Sequence, residues 1–190
     1  MGASDTEILH AALRAWDHWG FSRCTLRRIG ESAGVAEQTL LQRFGSKSEL
    51  MKSAVALGVE EFSKSWSTSG ELPKDIAAIA EAFAHLFRRR GRLILDVALE
   101  ASRNPEIQEM AYPAVEALTK AARVIAAYQK SGELRGTNPW EPLLALAGPM
   151  LLPALQRDPH VKLFPSSSGN IEEFLAGWST RRQPSKVGKL

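Results

Sequence analysis

The stretch "GVAEQTLLQRFGSKSEL", Gly34–Leu50, decides how the chain is read. It spells a helix of barely two turns, a tight turn, and the start of a longer helix. A helix that short is not stable in water by itself. Neighbours must pack it from behind, and its polar front must have a use. Val35 and Leu40 are predicted to point back, with Phe44 closing the cluster. Glu37, Gln38, Thr39, Gln42 and Arg43 then point outward. Gly34 suits a left-handed cap on the preceding helix. The "SKSE" that follows reads as a capping box, with Ser46 at the N-cap and Glu49 at the third helical position.

Working outward, nearly every segment carries helical periodicity and none alternates with period two. Towards the N-terminus, Ile8, Leu9, Ala12, Leu13 and Trp16 mark one face of a helix over 5–19, stopped by Gly20. Thr25 caps a second helix, "LRRIGESA". Towards the C-terminus, the helix begun at Ser46 runs to about Ser67 and is broken by "STSGELP". Further helices are predicted over 74–90, over 92–102, and from Asn104-Pro105, where proline suits the first helical position. Pro113 is expected to kink that last helix, which ends at "KSGELRG". Another starts at Asn138-Pro139, and the final one is "NIEEFLAGWSTRR". The class is all-α, with about nine helices. Residues 1–50 form one domain and 51–190 a larger helical one.

Composition narrows the function. The chain has 190 residues, 44% of them hydrophobic, enough for a core without staples. A single cysteine, Cys24, excludes an internal disulfide and fits a reducing cytoplasm. No signal-peptide pattern opens the chain, and the apolar run Leu143–Leu155 is too short to span a bilayer. The balance of 24 Lys/Arg against 21 Asp/Glu is only mildly basic, so any affinity for nucleic acid must come from where the charges sit.

Three short helices with a tight turn between the second and third describe a helix-turn-helix. A DNA major groove is wide enough to take the third one. Gln38 can pair bidentately with adenine, Thr39 can meet a thymine methyl or a phosphate, and Glu37 can accept from a cytosine amino group or act as a filter. Ala36 and Gln42 flank them. Thr25, Arg27 and Arg28 lie at the start of the second helix, near the groove edge. Arg43 and Lys47 lie beyond the probe, placed for phosphates. The capped N-terminus at 46–48 offers free N–H groups to another phosphate.

These residues carry a resemblance. Residues 8–55 resemble the DNA-binding domain of the tetracycline-repressor (TetR) family: Trp16, "GF" at 20–21, "T-x-x-x-I" from 25, "AGV" at 33–35, "TL" at 39–40 and "FGSKSEL" at 44–50, all in register. The resemblance implies an all-helical homodimer, a double-stranded DNA operator and usually a small-molecule inducer; two-fold symmetry makes the expected operator a near-palindrome, and no cofactor is expected. Two departures stand out. Ala36 occupies the N-cap where the family usually has a small hydroxyl residue. Leu41 stands where it usually has a tyrosine that touches a phosphate. Arg43, where the family often has histidine or tyrosine, is expected to replace that lost contact with a stronger one.

The remaining features are read against their plainer alternatives. Phe62, Trp66, Phe83, Phe87, Met110, Tyr112 and Tyr128 recur at helical spacing. Core is the default for each, with some expected to line an apolar ligand cavity. Leu144, Leu151 and Leu155, with the stripe Ile171, Phe174, Leu175 and Trp178, are expected to form a dimer interface, while Glu172, Glu173, Arg181 and Arg182 stay wet. The run "RRRGR", Arg88–Arg92, reads as cations complementing a helix C-terminus, well past the DNA-reading domain. Asp96 and Glu100 share a face, but His10, His18, His85 and His160 are scattered. No catalytic or metal constellation is read. Cys24, near arginines, could sense redox state if its thiol pKa were lowered. The reading is a ligand-responsive, homodimeric DNA-binding transcriptional regulator, a repressor released by an apolar or aromatic molecule. It is weighed against an enzyme or carrier of apolar small molecules on the same scaffold, and against a ligand-independent DNA-binding factor.

Overall fold

The computed structural model describes residues 2–151 and 167–180. Among them are α1 (Asp5–Trp19), a 3-10 turn (Phe21–Arg23), α2 (Leu26–Ala33), α3 (Glu37–Phe44), α4 (Lys47–Lys64), α5 (Leu72–Glu100), α6 (Pro105–Lys130), α7 (Trp140–Leu151) and α8 (Ser167–Trp178). The all-α expectation holds. The two helices expected on either side of Gly91 are both present: they run together as α5 across a break in helical backbone at Arg90 (φ −137°, ψ 15°). The run Arg88–Arg92 therefore straddles that break, with Arg88 and Arg89 at the end of the first helical segment as expected. Pro113 lies inside α6 and the helix continues past it. Leu155, His160, Arg181, Arg182 and the tail beyond them lie outside the described residues.

Helix ends follow local chemistry. The Thr25 hydroxyl accepts from the Arg28 N–H at 3.3 Å, and Gly34 takes the left-handed conformation (φ 69°) that closes α2. The Ser46 hydroxyl accepts from the Glu49 N–H at 3.1 Å, while the Glu49 carboxylate pairs with Lys52 at 3.3 Å. The reciprocal capping box belongs to α1, between Ser4 and Glu7. Asn104 caps α6 by accepting from the Glu106 N–H at 3.0 Å.

The described residues group into two compact units: 1–65 with 85–118, and 66–84 with the rest from 119 onward. This grouping does not coincide with the expected division at residue 50, since 51–65 and 85–118 pack with the first fifty residues. In the first unit, Ile8, Ala12, Leu13 and Trp16 of α1 meet Ile29, Leu40, Leu50, Met51 and Ala54, and Leu93 and Met110 join the same cluster. In the second unit the buried side chains include Ile76, Ile79 and Phe83 of α5, Ala121, Ala122 and Ile125 of α6, Leu143 and Leu146 of α7, and Phe174 and Leu175 of α8. An antiparallel bridge, Leu134 to Ser179, fastens the end of α8 to the "GELRG" segment. The Arg135 N–H donates to the Trp178 carbonyl at 2.8 Å beside it.

Candidate nucleic-acid interface

The third helix is held at a close turn. The Val35 N–H donates to the Gly30 carbonyl at 3.0 Å, and a Cβ on Gly30 would sit 2.6 Å from the Val35 carbonyl oxygen. Glycine costs an exposed helix interior about 1 kcal/mol relative to alanine, so its presence in α2 marks this approach. The sequence carries that signal as the glycine in the middle of "LRRIGESA". Leu40 is fully buried, with Val35 and Phe44 partly buried against the same core, so α3 is packed from behind as expected. Ala36 has the extended backbone of an N-cap (φ −69°, ψ 147°) and supplies no side-chain cap.

The front of α3 is open. Glu37, Gln38, Gln42 and Arg43 are exposed and Thr39 is half-buried. Leu41 is 42% exposed on the same face, one turn from Glu37 and Gln38. An exposed apolar side chain there can pack on a thymine methyl. Sequence reasoning treated Leu41 only as a lost phosphate contact.

The cations expected to meet phosphates are mostly tied within the domain. Arg43 donates to the Ala3 carbonyl at 2.7 Å and pairs with Asp5, fastening α3 to the start of α1. Lys47 donates to the Phe21 carbonyl at 2.8 Å and lies 4.2 Å from the centre of its ring. Arg28 donates to the Arg23 carbonyl at 2.7 Å and stacks 4.1 Å from the centre of the Trp19 ring. Arg27 is highly exposed and pairs with Glu31 at 2.9 Å. Guanidinium groups keep donors free after one such bond, because each carries five. Cys24 is fully buried; burial pushes its thiol up, outweighing nearby Lys47 and Arg28. An inert thiol results, not a sensor.

The arginine run is not remote from these residues. A cleft of about 760 Å³ is lined from α1 by Arg14, Asp17 and Trp19, and from α2 by Arg28. The kinked segment of α5 adds Arg89, Arg90 and Arg92. All belong to the first unit. A second depression, of about 670 Å³, shares Arg28 and includes Thr25 and Arg27.

The other candidates are placed less uniformly. Phe62, Trp66, Phe83, Met110 and Tyr128 are buried, Phe87 is half-buried, and Tyr112 is 61% exposed. Phe62, Phe87, Met110 and Tyr112 lie in the first unit, and Trp66, Phe83 and Tyr128 in the second. Tyr128 donates to the Asp75 carboxylate at 2.7 Å. Among the interface candidates, Leu144 is 66% exposed, Leu151, Ile171 and Trp178 are half-buried, and Phe174 and Leu175 are buried. No group of three or more His, Cys, Asp or Glu suited to a metal occurs among the described residues.

A three-helix head with an open, polar third helix on a glycine-tightened turn defines a helix-turn-helix DNA-binding domain. Residues 8–54 match the model of bacterial regulatory proteins of the tetR family. An uncharacterized HTH-type transcriptional regulator of Mycobacterium tuberculosis is 28% identical over 106 residues, which are 56% of this chain and 52% of the relative. The chain thus spans about half the length of the curated relatives it matches. Similar solved structures include a Saccharomonospora viridis protein described as a transcriptional regulator, in complex with choline (TM-score 0.70, 18% identity, 93% of this chain and 98% of that one). Another is AibR in complex with isovaleryl coenzyme A and operator DNA (TM-score 0.69, 13% identity, 92% and 97%). At these identities the likeness is one of fold.

Proposed function

We propose that the chain is a DNA-binding transcriptional regulator that acts as a homodimeric repressor on a near-palindromic operator. The observation that carries this reading is the exposed face of α3, with Gln38, Leu41 and Gln42 outward and Leu40 fully buried beneath them. Gln38 reads a base edge, Leu41 packs on a thymine methyl, and Thr39 and Glu37 border them. Ala36 brings the backbone at the α3 N-terminus to the groove. Thr25, Arg27, Arg28, Arg43 and Lys47 meet the flanking phosphates, and Arg43 exchanges Asp5 for phosphate on binding. No catalytic role is assigned to the chain, and it works in the cytoplasm; no described helix is long and apolar enough to cross a membrane.

Dimerisation uses α7 and α8. Leu143, Leu146 and Met150 bury one face of α7, which leaves Leu144 outward for a second cover. Leu151, Ile171 and Trp178 are only partly covered within the chain. A two-fold axis through these helices would set two reading helices about 34–36 Å apart. An apolar or aromatic small molecule releases the operator by preferring a dimer with wrongly spaced heads. Among the aromatic candidates, Trp66, Phe83 and Tyr128 of the second unit supply its contacts. The complexes of AibR with isovaleryl coenzyme A and of the S. viridis protein with choline support small-molecule binding on this fold. Gel retardation of duplexes bearing inverted repeats, with and without lipophilic compounds, tests the reading. Failure to retard any inverted-repeat duplex contradicts it.

A further inference from the structure

We propose that the cleft formed by Arg14, Arg28, Arg89, Arg90 and Arg92 is a second anion site that takes a phosphate group, separate from the reading face of α3. Five guanidiniums and one carboxylate, Asp17, line it. None of these arginines forms an ion pair among the described residues. Asp17 is itself engaged: its Oδ1 accepts from the Leu93 N–H at 2.9 Å. That N–H is released by the kink, since its partner in a regular helix would be the Arg89 carbonyl.

The kink also explains the convergence. On a straight helix, residues 89, 90 and 92 fan over about 160° of the circumference. With the backbone broken at Arg90, all three reach one cleft. Arg90 is half-buried there. Burial lowers its pKa, and Arg89 and Arg14 lower it further against the pull of Asp17 and Glu61. Like charges gathered in a partly desolvated cleft repel one another, and a bound anion relieves that repulsion. A monoanionic carboxylate would leave most of the charge uncompensated. A phosphate brings two or more charges and a tetrahedral set of oxygens that planar guanidinium forks match bidentately. Trp19 walls the cleft beneath Arg28, and Arg28 also borders the depression that holds Thr25 and Arg27. The phosphate therefore comes from a free small molecule or from the DNA backbone flanking the operator.

The test uses the full chain and sodium pyrophosphate, titrated against sodium chloride at equal ionic strength, with thermal unfolding as the readout. Wild type is expected to gain about 3 °C or more at saturation. The doubly exposed variant Arg89→Ala/Arg92→Ala is expected to gain nothing, and in chloride to melt no lower than wild type, because two like charges are gone. A chloride response equal to that of pyrophosphate, or a variant that responds like wild type, overturns the site. A second arm, which rests on the DNA-binding reading, separates the two sources. If the backbone supplies the phosphate, the double variant binds an operator extended by about one helical turn on each side at least fivefold more weakly than wild type, with no loss on the trimmed operator. If a free ligand supplies it, both duplexes bind the variant as they bind wild type. Operator binding without a pyrophosphate response defeats the anion site alone; a pyrophosphate response without operator binding defeats the DNA reading alone.

Discussion

A Cβ placed on Gly30 would lie 2.6 Å from the carbonyl oxygen of Val35, and that oxygen is backbone that cannot swing aside. The turn between α2 and α3 is as tight as it is because position 30 has no side chain. Gly30→Ala gains about 1 kcal/mol of helix propensity, but overpacking of this kind costs about 1–3 kcal/mol. The expected net effect is a lower melting temperature together with weaker DNA binding, since α3 must shift. Thermal unfolding by circular dichroism checks it; an unchanged transition would mean that the turn relaxes freely.

Gln38→Ala is expected to relax base preference at one position in each half-site, at a cost of about 1–3 kcal/mol there. Arg43→Ala is expected to weaken all sequences alike and to reduce the salt-dependence slope by about one. Its effect includes loss of the tie to Ala3 and Asp5, so the melting temperature of the free protein should be recorded alongside. Competition titrations with single-base variants separate the two behaviours. Sequence-dependent loss in Arg43→Ala would move that side chain from the backbone to a base.

In the second unit, Asp75 is almost fully buried and accepts from Ser69, Gly70 and Tyr128. Burial alone would raise its pKa, but these hydrogen bonds outweigh it and the carboxyl is held below its ordinary value. A depressed carboxyl contributes stability that is present above its unfolded pKa and is lost as pH falls through the folded one. Tyr128 is pushed up, by burial first and then by Asp75, so its contribution is full below the ordinary tyrosine range and is lost as pH rises through the folded value. Tyr128→Phe is expected to cost about 1.5–3 kcal/mol at neutral pH and to flatten both limbs of the stability–pH curve. Denaturant midpoints measured across pH decide it; an unaltered acid limb would show that Tyr128 does not act on Asp75.

Leu144→Glu is expected to yield monomers in sedimentation without lowering secondary structure, because Leu144 is 66% exposed within the chain. An unpaired carboxylate at the centre of an interface is poorly tolerated. A dimer that persists at micromolar protein would move the interface away from this face of α7.

What could be read from sequence and what could not divides along range. Thr25, Gly34, Ser46 and Asn104 were legible as caps because capping is a matter of three or four neighbouring residues. The Ser4–Glu7 capping box has the same spelling as "SKSE" and could have been read. The burial of Leu40 followed from helical spacing. The tie between Arg43 and Ala3 spans 40 residues of sequence, and no local pattern announces it. Cys24 was read from its neighbouring cations, whereas its burial, a tertiary property, sets the direction of its pKa. The break that Gly91 suggests is present at Arg90, but the placing of the arginine run beside Arg14 and Arg28 is a matter of tertiary packing that no local pattern announces.

The central claim is that α3 reads double-stranded DNA as one of a symmetric pair. Selection of binding sites from random duplexes, performed in parallel with the wild-type chain and Gln38→Ala, tests it most directly. The account predicts a near-palindromic consensus with half-site centres about 10 base pairs apart, and loss of preference at one position per half-site in the variant. Selection of no sequence by the folded wild-type chain, or an identical consensus for both proteins, would contradict it.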